Sequence, residues 1–495
     1  MTDWNDFIKC TRGLLIAPAG HGKTTAIADC LLQCPIDSCQ LVLTHTHAGI
    51  ASLRSKFRQK NVPSSRYQIE TITGFAQRYV LSLIGSSALP EEEDKSYFNV
   101  AIEKCCSLIQ TSAVQNVIKA SFSGIFVDEY QDCTIDQHNM IMGLAKNLPL
   151  HLLGDPLQGI FSFEDKPLVD FEKDLCLFTR FELLDYPWRW EKSNPALGQF
   201  IFRIRKELEV NHKIDIDIDS SPKDNIFVIT CLPSDKYSCL GRLIKQQKSN
   251  NILIICPSYK EYDNNGKLIL RGGLNERIVI KQRTDYANKF SVLDAIDSSE
   301  YYQCAKMIDL FIEKCLRGNR IKKVARLHDI LKSLHLNISE VNKWIDKSKN
   351  TFKQRTKENA SFSKKLKESF SHFEADVNLS NLRTVLTQIV QLPQIKLYHK
   401  IFYYTIDKCF NIAQINNISM FEAMKLQKTR LRHQGRSVDG LCFGTTLLTK
   451  GLEFETVIIW DAHKFEDVKN FYVAISRACK RLIIMTETKS LTFDK

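Results

Sequence analysis

Ile125-Phe126-Val127-Asp128-Glu129-Tyr130-Gln131-Asp132 is the stretch that decides the fold of this 495-residue chain. Three apolar, strand-forming residues run directly into a pair of acids, and further polar residues follow. Such a run predicts a central strand that is buried on both faces and ends where its carboxylates reach the edge of the sheet. The meaning of those acids depends on what else the chain places at that edge.

A glycine-rich loop lies upstream of the acids. The loop is Ala17-Pro18-Ala19-Gly20-His21-Gly22-Lys23-Thr24 and follows a predicted strand at 13–16. A helix is predicted to begin near Lys23 and to include Thr25, which also belongs to the predicted nucleotide site. Glycines in such a loop let backbone N–H groups surround phosphate oxygens at a helix N-terminus. Lys23 would reach the β- and γ-phosphates, and the hydroxyl of Thr24 would bind Mg²⁺. The alternative is a chance match, because Ala17 stands where the general pattern has its first glycine.

The paired acids and this loop together predict a nucleotide-hydrolysis site. Asp128 suits Mg²⁺ held through water, and Glu129 suits a base or a positioner for the attacking water. The competing interpretation is that both acids cap the following helix. A predicted strand at 151–153 leads to Gln158, whose amide could contact a terminal phosphate and respond to its loss. Phe163 follows at the same edge of the sheet. Its ring could contact a ligand there, and the alternative is that it packs in the core.

Histidines and cysteines around the loop raise the alternative of a metal site. The candidates are His45, His47, Cys10, Cys30, Cys34 and Cys39. Their spacing fits no standard ligand pattern for zinc or for an iron–sulfur cluster. We therefore expect the sixteen cysteines to be reduced thiols, as is usual beside a cytosolic type of ATP site.

Composition indicates a soluble globular protein with ample core material. Hydrophobic residues make up 44% of the chain and charged residues 25%, which is ordinary for that class. No apolar run approaches the ~20 residues of a membrane-spanning helix, and residues 1–6 carry no signal-peptide pattern. A cytoplasmic location without membrane contact is expected.

The predicted elements fall into two α/β units. The first covers 1–220 and carries a small helical insertion at about 76–120, and the second covers 221–495. Within the second unit, residues of about 261–436 lose the alternation of strands and helices and are predicted to form a mainly helical insertion. Two α/β units, each interrupted by helices, are therefore expected.

Positive charge is concentrated in the second insertion. Between Glu313 and Arg436 there are 25 Lys and Arg against 10 Asp and Glu, a surplus of +15, while the whole chain carries +12. Such a region suggests a polyanionic partner, and the alternative is a solvated helical surface. The last predicted helix begins at a capping box of Ser419 and Glu422. Its basic residues are Lys425, Lys428, Arg430 and Arg432.

Two later blocks, Lys450-Gly451-Leu452-Glu453-Phe454 and Val473-Ala474-Ile475-Ser476-Arg477-Ala478, are highly specific. With the earlier motifs they form an ordered set at 17–24, 44–48, 71–74, 128–132, 154–163, 188–189, 450–454 and 473–478. This set resembles the UvrD/Rep/PcrA family of superfamily 1 (1A) DNA helicases across nearly the whole chain. The resemblance implies two RecA-like P-loop domains in tandem, each interrupted by a mainly helical insertion, with ATP between them.

The resemblance assigns further residues to the ATP site. Arg189 and Arg477 match arginines that contact the γ-phosphate from opposite sides of the cleft, and such a group typically contributes ~10³–10⁵ in rate. Trp188 matches an adenine-stacking tyrosine, and Glu453 matches a glutamate near the ribose. The family's adenine-reading glutamine has no counterpart, since no Gln precedes Gln33. The expected chemistry is hydrolysis of ATP with Mg²⁺.

The resemblance also implies contacts with nucleic acid. Thr44, Thr46, Thr71 and Thr73 match positions that touch the DNA backbone, and Phe163 matches an aromatic that stacks on a base. The basic helix of the second insertion is then expected to contact duplex DNA, so that neutralising it weakens duplex binding. Single-stranded DNA and duplex junctions are the expected partners, and RNA is the alternative track.

The functional hypothesis is ATP-dependent translocation on single-stranded DNA, moving 3′→5′ as the family does, with unwinding of duplex. The alternative is a regulatory ATPase subunit that senses DNA and licenses a separate nuclease. Short helicases of this shape resemble the helicase subunit of Gabija-type antiphage systems, which works with a nuclease. DNA repair and antiviral defence are the corresponding settings.

Overall fold

The computed structural model describes most of the chain. The described residues are 4–90, 94, 96–160, 166–183, 186–216, 224–247, 249, 251–258, 260–262, 268–271, 280, 290–293, 299–318, 322–397, 399–434 and 440–493, without the side chains of 260–262, 268–271, 357 and 432–434. The predicted unit boundary at 220 and the predicted base-stacking residue Phe163 lie outside these residues.

Six parallel strands form the first sheet, in the order β3-β2-β4-β5-β1-β6. They are β1 (Arg12–Ile16), β2 (Gln40–Thr44), β3 (Tyr67–Thr71), β4 (Gly124–Val127), β5 (Leu150–Gly154) and β6 (Thr179–Glu182). The predicted acid-bearing strand is β4, which lies between β2 and β5 and is buried along its length. Because parallel strands end at one edge, the loops after β1, β4 and β5 meet there.

Helices cover both faces of the first sheet. They are α1 (Asn5–Lys9), α2 (Lys23–Gln33), α3 (His47–Gln59), α4 (Ile72–Leu83), α5 (Tyr97–Ile109), α6 (Ser112–Ser121) and α7 (Ile135–Leu144). The next helix, α8 (Pro195–Asn211), instead shares a core with Leu253 and Ile255 of the second sheet. The predicted helical character of 76–120 is present, and its buried side chains share one core with Leu41 and Ile125 of the sheet. The block at 71–74 forms the start of α4, where the Thr71 hydroxyl accepts a hydrogen bond from the Gly74 N–H at 2.9 Å.

A second sheet of six parallel strands has the order β12-β15-β9-β16-β17-β8. Its strands are β8 (Ile226–Thr230), β9 (Ile252–Cys256), β12 (Ser291–Val292), β15 (Leu441–Thr445), β16 (Phe454–Ile459) and β17 (Ala478–Thr486). Its described helices include α9 (Lys236–Gln246), α17 (Thr446–Thr449) and α18 (Val468–Ile475). Two parallel six-stranded sheets confirm the predicted fold class of two tandem RecA-like α/β units. Shorter strands pair outside these sheets: β7 (Lys213–Asp215) with β18 (Ser490–Thr492), β10 (Lys260–Tyr262) with β11 (Leu268–Arg271), and β13 (Ile345–Asp346) with β14 (Thr351–Phe352).

The second insertion is a helical cluster with a core of its own. Its helices are α10 (Ser299–Leu316), α11 (Lys323–Ser333), α12 (Ile338–Val341), α13 (Ala360–Ala375), α14 (Leu379–Val390), α15 (Lys400–Asn416) and α16 (Met420–Gln434). The range predicted for the insertion, 261–436, also contains β12, which pairs with β15 of the second sheet. The helical cluster with its own core begins with α10 at Ser299, after the chain has contributed that strand.

The predicted basic face of α16 is wrong at Lys428. This side chain is buried, and its ammonium lies 3.5 Å from the centroid of the Tyr301 ring. Lys425 lies 5.0 Å from the Phe421 ring centroid and 3.6 Å from a carboxylate oxygen of Glu422, whereas Arg430 is exposed. A cation over an aromatic ring inside a helical core is held by packing, and α16 also packs against α3 of the first unit.

Candidate active site between the two sheets

The phosphate-type loop after β1 has the backbone that its glycines predict. Gly20 and Gly22 have φ of 74° and 95°, a left-handed conformation that glycine adopts without steric cost. A Cβ on Gly20 would lie 2.6 Å from the Trp190 ring. Lys23 is buried, and its ammonium donates to the carbonyl of Ala17 at 2.9 Å. The loop therefore curls around its own lysine, as a cradle for an anion requires.

The two acids project from the carboxyl end of β4 toward this lysine. The Glu129 N–H donates to the Asp128 carboxylate at 3.0 Å, and the amide of Gln131 donates to the Glu129 carboxylate. Glu129 has φ of 55°, which is uncommon for a residue other than glycine and is typical of functional sites. The backbone is bent at the residue that the sequence predicts to act on water.

The charges of these acids are set by opposing influences. Burial and then the neighbouring Glu129 raise the pKa of Asp128 to about 7. For Glu129, burial also acts to raise the pKa, but Lys23 and Lys450 outweigh it and lower the pKa to about 2. Glu129 is therefore ionised at neutral pH. A cation beside Asp128 would relieve the repulsion between the two carboxylates. The Asp128 carboxylate and the Thr24 hydroxyl offer the oxygen ligands that Mg²⁺ prefers.

Two arginines meet on the other side of the loop. The Arg189 Nε lies 2.8 Å from a Glu453 carboxylate oxygen, and one of its terminal nitrogens donates to the Ser476 carbonyl at 2.9 Å. Arg477 is buried and donates to the Val473 carbonyl at 2.9 Å. Burial, with repulsion from Arg189, lowers the pKa of Arg477 to about 10. Arg189 is paired with Glu453, whereas the hydrogen bonds of Arg477 go to uncharged groups such as the Ser476 hydroxyl. The two guanidinium groups repel each other, so this position favours an additional anion.

Two tryptophans flank the same loop with different roles. Trp188 is 56% exposed, and a Cβ on Gly22 would lie 3.5 Å from its ring. Its indole thus stands open beside the loop, where the resemblance places an adenine-stacking side chain. Trp190 is fully buried and donates its indole N–H to the Ala478 carbonyl at 2.6 Å. Only Trp188 is available to a ligand.

A lysine from the second unit reaches the first. The Lys450 ammonium lies 2.5 Å from each carboxylate oxygen of Asp132 and donates to the Gln158 carbonyl. Both side chains are almost fully buried, with 7% of Lys450 and 2% of Asp132 exposed. From the sequence, Lys450 is recognisable only as part of the block at 450–454. The structure makes it a charged link between the loops that follow β4 and β15.

A second buried network lies behind the loop, and sequence reasoning missed it. Arg205 of α8 is buried and pairs with Asp155 at 3.0 Å and with Glu209 at 2.9 Å. Tyr472 of α18 accepts a hydrogen bond from the Ala19 N–H at 3.0 Å. Burial and the nearby Asp155 carboxylate raise the pKa of Tyr472, so the hydroxyl stays neutral. This network joins the loop to elements of both units.

The amide of Gln158 belongs to the same network in this structure. It donates to the Asp155 carboxylate at 2.9 Å, and the Asp155 N–H donates to the side-chain oxygen of Gln131 at 3.0 Å. Gln131 in turn contacts Glu129. Gln158, the predicted phosphate-responsive glutamine, is therefore buried and connected to Glu129 through a chain of three hydrogen bonds.

The predicted DNA-contacting threonines lie at one edge of the first sheet, after β2 and β3. Thr44 and Thr71 are buried, and Thr73 is half-buried. The hydroxyl of Thr46 accepts from the Gly49 N–H at 3.0 Å, as that of Thr71 does from Gly74. Two of the four hydroxyls therefore cap helices. Contact of this edge with DNA stays a prediction.

The metal alternatives find no support among the described residues. No group of three or more His, Cys, Asp and Glu side chains could hold a metal there, and the sixteen cysteines are free thiols. His45 instead lies 3.3 Å from the Cys133 sulfur, and burial and Lys450 lower its pKa to about 4. None of the described helices is long and apolar enough to cross a membrane.

Comparison with known proteins supports the resemblance over part of the chain. Residues 86–166 match the UvrD/REP helicase N-terminal domain family, and this segment contains both acids and Gln158. The chain is thus similar to UvrD-like superfamily 1 helicases, as the motifs predict. It is also similar to the solved structure of Pif1 helicase from Bacteroides in complex with ADP-AlF3 and ssDNA, at 14% identity and a TM-score of 0.25. That similarity covers 53% of this chain and 59% of the Pif1 chain. No curated protein matches the sequence.

Proposed function

We propose that the chain is an ATP-dependent translocase on single-stranded DNA that moves 3′→5′ and unwinds duplex at junctions. One observation carries the proposal. The lysine of the phosphate-type loop, the two acids after β4 and the two arginines meet in one cleft between the sheets, although they are far apart in the sequence. ATP is the substrate whose charge and hydrolysis these groups suit.

Each group has a distinct task in the hydrolysis step. Lys23 would exchange the Ala17 carbonyl for phosphate oxygens, and ionised Glu129 would orient the attacking water. Thr24 and Asp128 would hold Mg²⁺, which neutralises charge on the phosphates. Arg189 and Arg477 would stabilise the charge that spreads over the transferred phosphoryl group, as arginine fingers do.

The same arrangement links hydrolysis to movement. When a phosphate lies between the two arginines, both are attracted to it. After the phosphate is released, the repulsion between the two arginines opposes closure of the cleft between the sheets. Lys450 and Asp132 connect the loop of the acids to the second unit. A change at the phosphate would therefore shift the equilibrium between closed and open arrangements of the two sheets.

ATPase and translocation measurements on the full chain test the proposal. We expect hydrolysis to be stimulated by single-stranded DNA well above RNA or blunt duplex, and streptavidin to be displaced faster from a 5′-biotin end than from a 3′-biotin end. Stimulation without displacement from either end would reject translocation and favour a DNA-sensing ATPase that regulates a separate nuclease. Absence of stimulation by any DNA would reject both.

The charged link between the units gives a further prediction. We expect Lys450→Met or Asp132→Asn to lower the DNA-stimulated kcat by roughly 10- to 100-fold, because each removes the oppositely charged partner of a buried charge and misplaces the catalytic loops. The double variant should lose little more than the worse single variant, since residues in contact are not additive. Lys480→Met, which removes an exposed pair with Glu455, should change kcat by less than about twofold. If the kcat losses of the two single variants add up in the double variant, Lys450 and Asp132 do not act together as a link between the units.

A further inference from the structure

A groove opens between α10 and α11 of the helical insertion, away from the cleft that holds the ATP-site residues. Its cavity has a volume of about 500 Å³, which falls in the range of sites that bind ligands or anchor side chains. We call it the α10–α11 groove and define it by Met307, Leu310, Ile330, Lys314, Arg326 and Lys332.

The floor of the groove is apolar and open to solvent. Met307 and Leu310, one helical turn apart on α10, are 37% and 45% exposed, while Ile330 of α11 is buried beneath them. Residues three apart share one helix face, so the two exposed side chains form a continuous strip. Methionine adapts its shape to a partner better than branched side chains do.

The rim of the groove is cationic and unneutralised. Among the described residues, the side chains of Lys314, Arg326 and Lys332 have no hydrogen bond or ion pair. Two nearby cations are paired: Arg317, which follows α10, with Glu313, and Lys323 of α11 with Glu374 at 3.1 Å.

The acid in the groove wall does not change that charge balance. Asp329 lines the groove but is paired with Lys347 at 2.5 Å, so its charge is already compensated. Within the described part of the insertion, the three rim cations therefore surround an apolar strip and have no negative charge paired with them. A partner that carries acids beside apolar side chains would complement both parts of the surface.

We infer that the α10–α11 groove docks an acidic amphipathic helix of a partner protein. Its apolar stripe would cover Met307 and Leu310, and its flanking carboxylates would pair with the rim cations, in the helix-in-groove mode. Single-stranded nucleic acid fits less well. Base stacking uses aromatic faces, whereas the exposed part of this floor is a methionine and a leucine.

Fluorescence anisotropy with three labelled model peptides and the full chain tests the inference. One peptide has a leucine stripe flanked by glutamates, the second has lysines in place of the glutamates, and the third has the composition of the first without a stripe. We expect the first peptide to bind at least tenfold more tightly than either of the others. Equal binding of all three, or no binding of the first, would overturn the inference.

Charge-reversal variants locate the binding. The triple variant Lys314→Glu, Arg326→Glu, Lys332→Glu should lower the affinity for the first peptide at least tenfold. Leu310→Ser should also lower this affinity, although it leaves the charges of the groove unchanged. The matched control, Lys349→Glu, Lys365→Glu, Lys408→Glu, changes exposed lysines elsewhere on the insertion and should have less than a twofold effect. Equal loss in both triple variants would overturn the inference. Loss of labelled oligo(dT) binding in the groove variant, with peptide binding unchanged, would assign the groove to nucleic acid instead.

Discussion

A Glu129→Gln variant is expected to hydrolyse ATP about 10³-fold more slowly in the presence of single-stranded DNA, with its affinity for ATP retained. Glutamine keeps the length of the side chain but has no negative charge to orient the attacking water or accept its proton. The structure keeps Glu129 ionised, because Lys23 and Lys450 lower its pKa to about 2. The loss should therefore fall on kcat and leave nucleotide binding almost unchanged.

Two variants separate this effect from damage to the fold or to binding. Lys23→Ala should weaken nucleotide binding itself, because it removes the cation of the phosphate-type loop. Glu455→Gln, at an exposed acid of β16 paired with Lys480, should hydrolyse ATP at the wild-type rate. Steady-state kinetics give kcat and KM, and a fluorescent ATP analogue gives the affinity. If Glu129→Gln keeps more than a tenth of the wild-type kcat, another group positions the water.

The parts of the site that the sequence predicts are those whose chemistry is local. The phosphate-type loop needs glycines and a lysine at fixed offsets; Gly20 and Gly22 are left-handed, and Lys23 folds back onto the Ala17 carbonyl. A strand that ends in acids needs only an apolar run followed by Asp128 and Glu129. Such patterns are recognisable from the sequence alone, because the residues that make the decisive contacts are neighbours along the chain.

Other features depend on contacts between distant residues, and helical periodicity cannot reveal them. The sequence of the helix that carries Arg205 gives no sign of its partner Asp155, which lies fifty positions earlier. Lys428 was predicted to lie on a basic face, but the ring of Tyr301 covers it. In both cases the partner comes from another element, and only the packed fold brings the two together.

The buried pair of Arg205 and Asp155 leads to the second large expected effect. Asp155 is fully buried, and Arg205 is 4% exposed. Replacing Arg205 by methionine leaves an unpaired carboxylate in the interior, and breaking a buried pair in this way typically costs ~3–5 kcal/mol. We expect the midpoint of thermal unfolding to fall by several degrees. Tyr472 and the Ala19 N–H belong to the same network, so ADP affinity should fall as well.

Comparison with three further variants identifies the charge as the cause. Arg203→Met, on the same helix, removes a partly exposed pair with Glu207 at 3.3 Å and should change stability by less than about 1 kcal/mol. Asp155→Asn combined with Arg205→Met should recover much of the loss, because no buried charge then lacks a partner. Tyr472→Phe should lower ADP affinity with little change in the unfolding midpoint, since it removes the hydroxyl that accepts from the Ala19 N–H of the loop but removes no charge. If Arg205→Met unfolds at the same temperature as Arg203→Met, the buried pair contributes nothing measurable, and the link from α8 to the phosphate-type loop must be carried by packing alone.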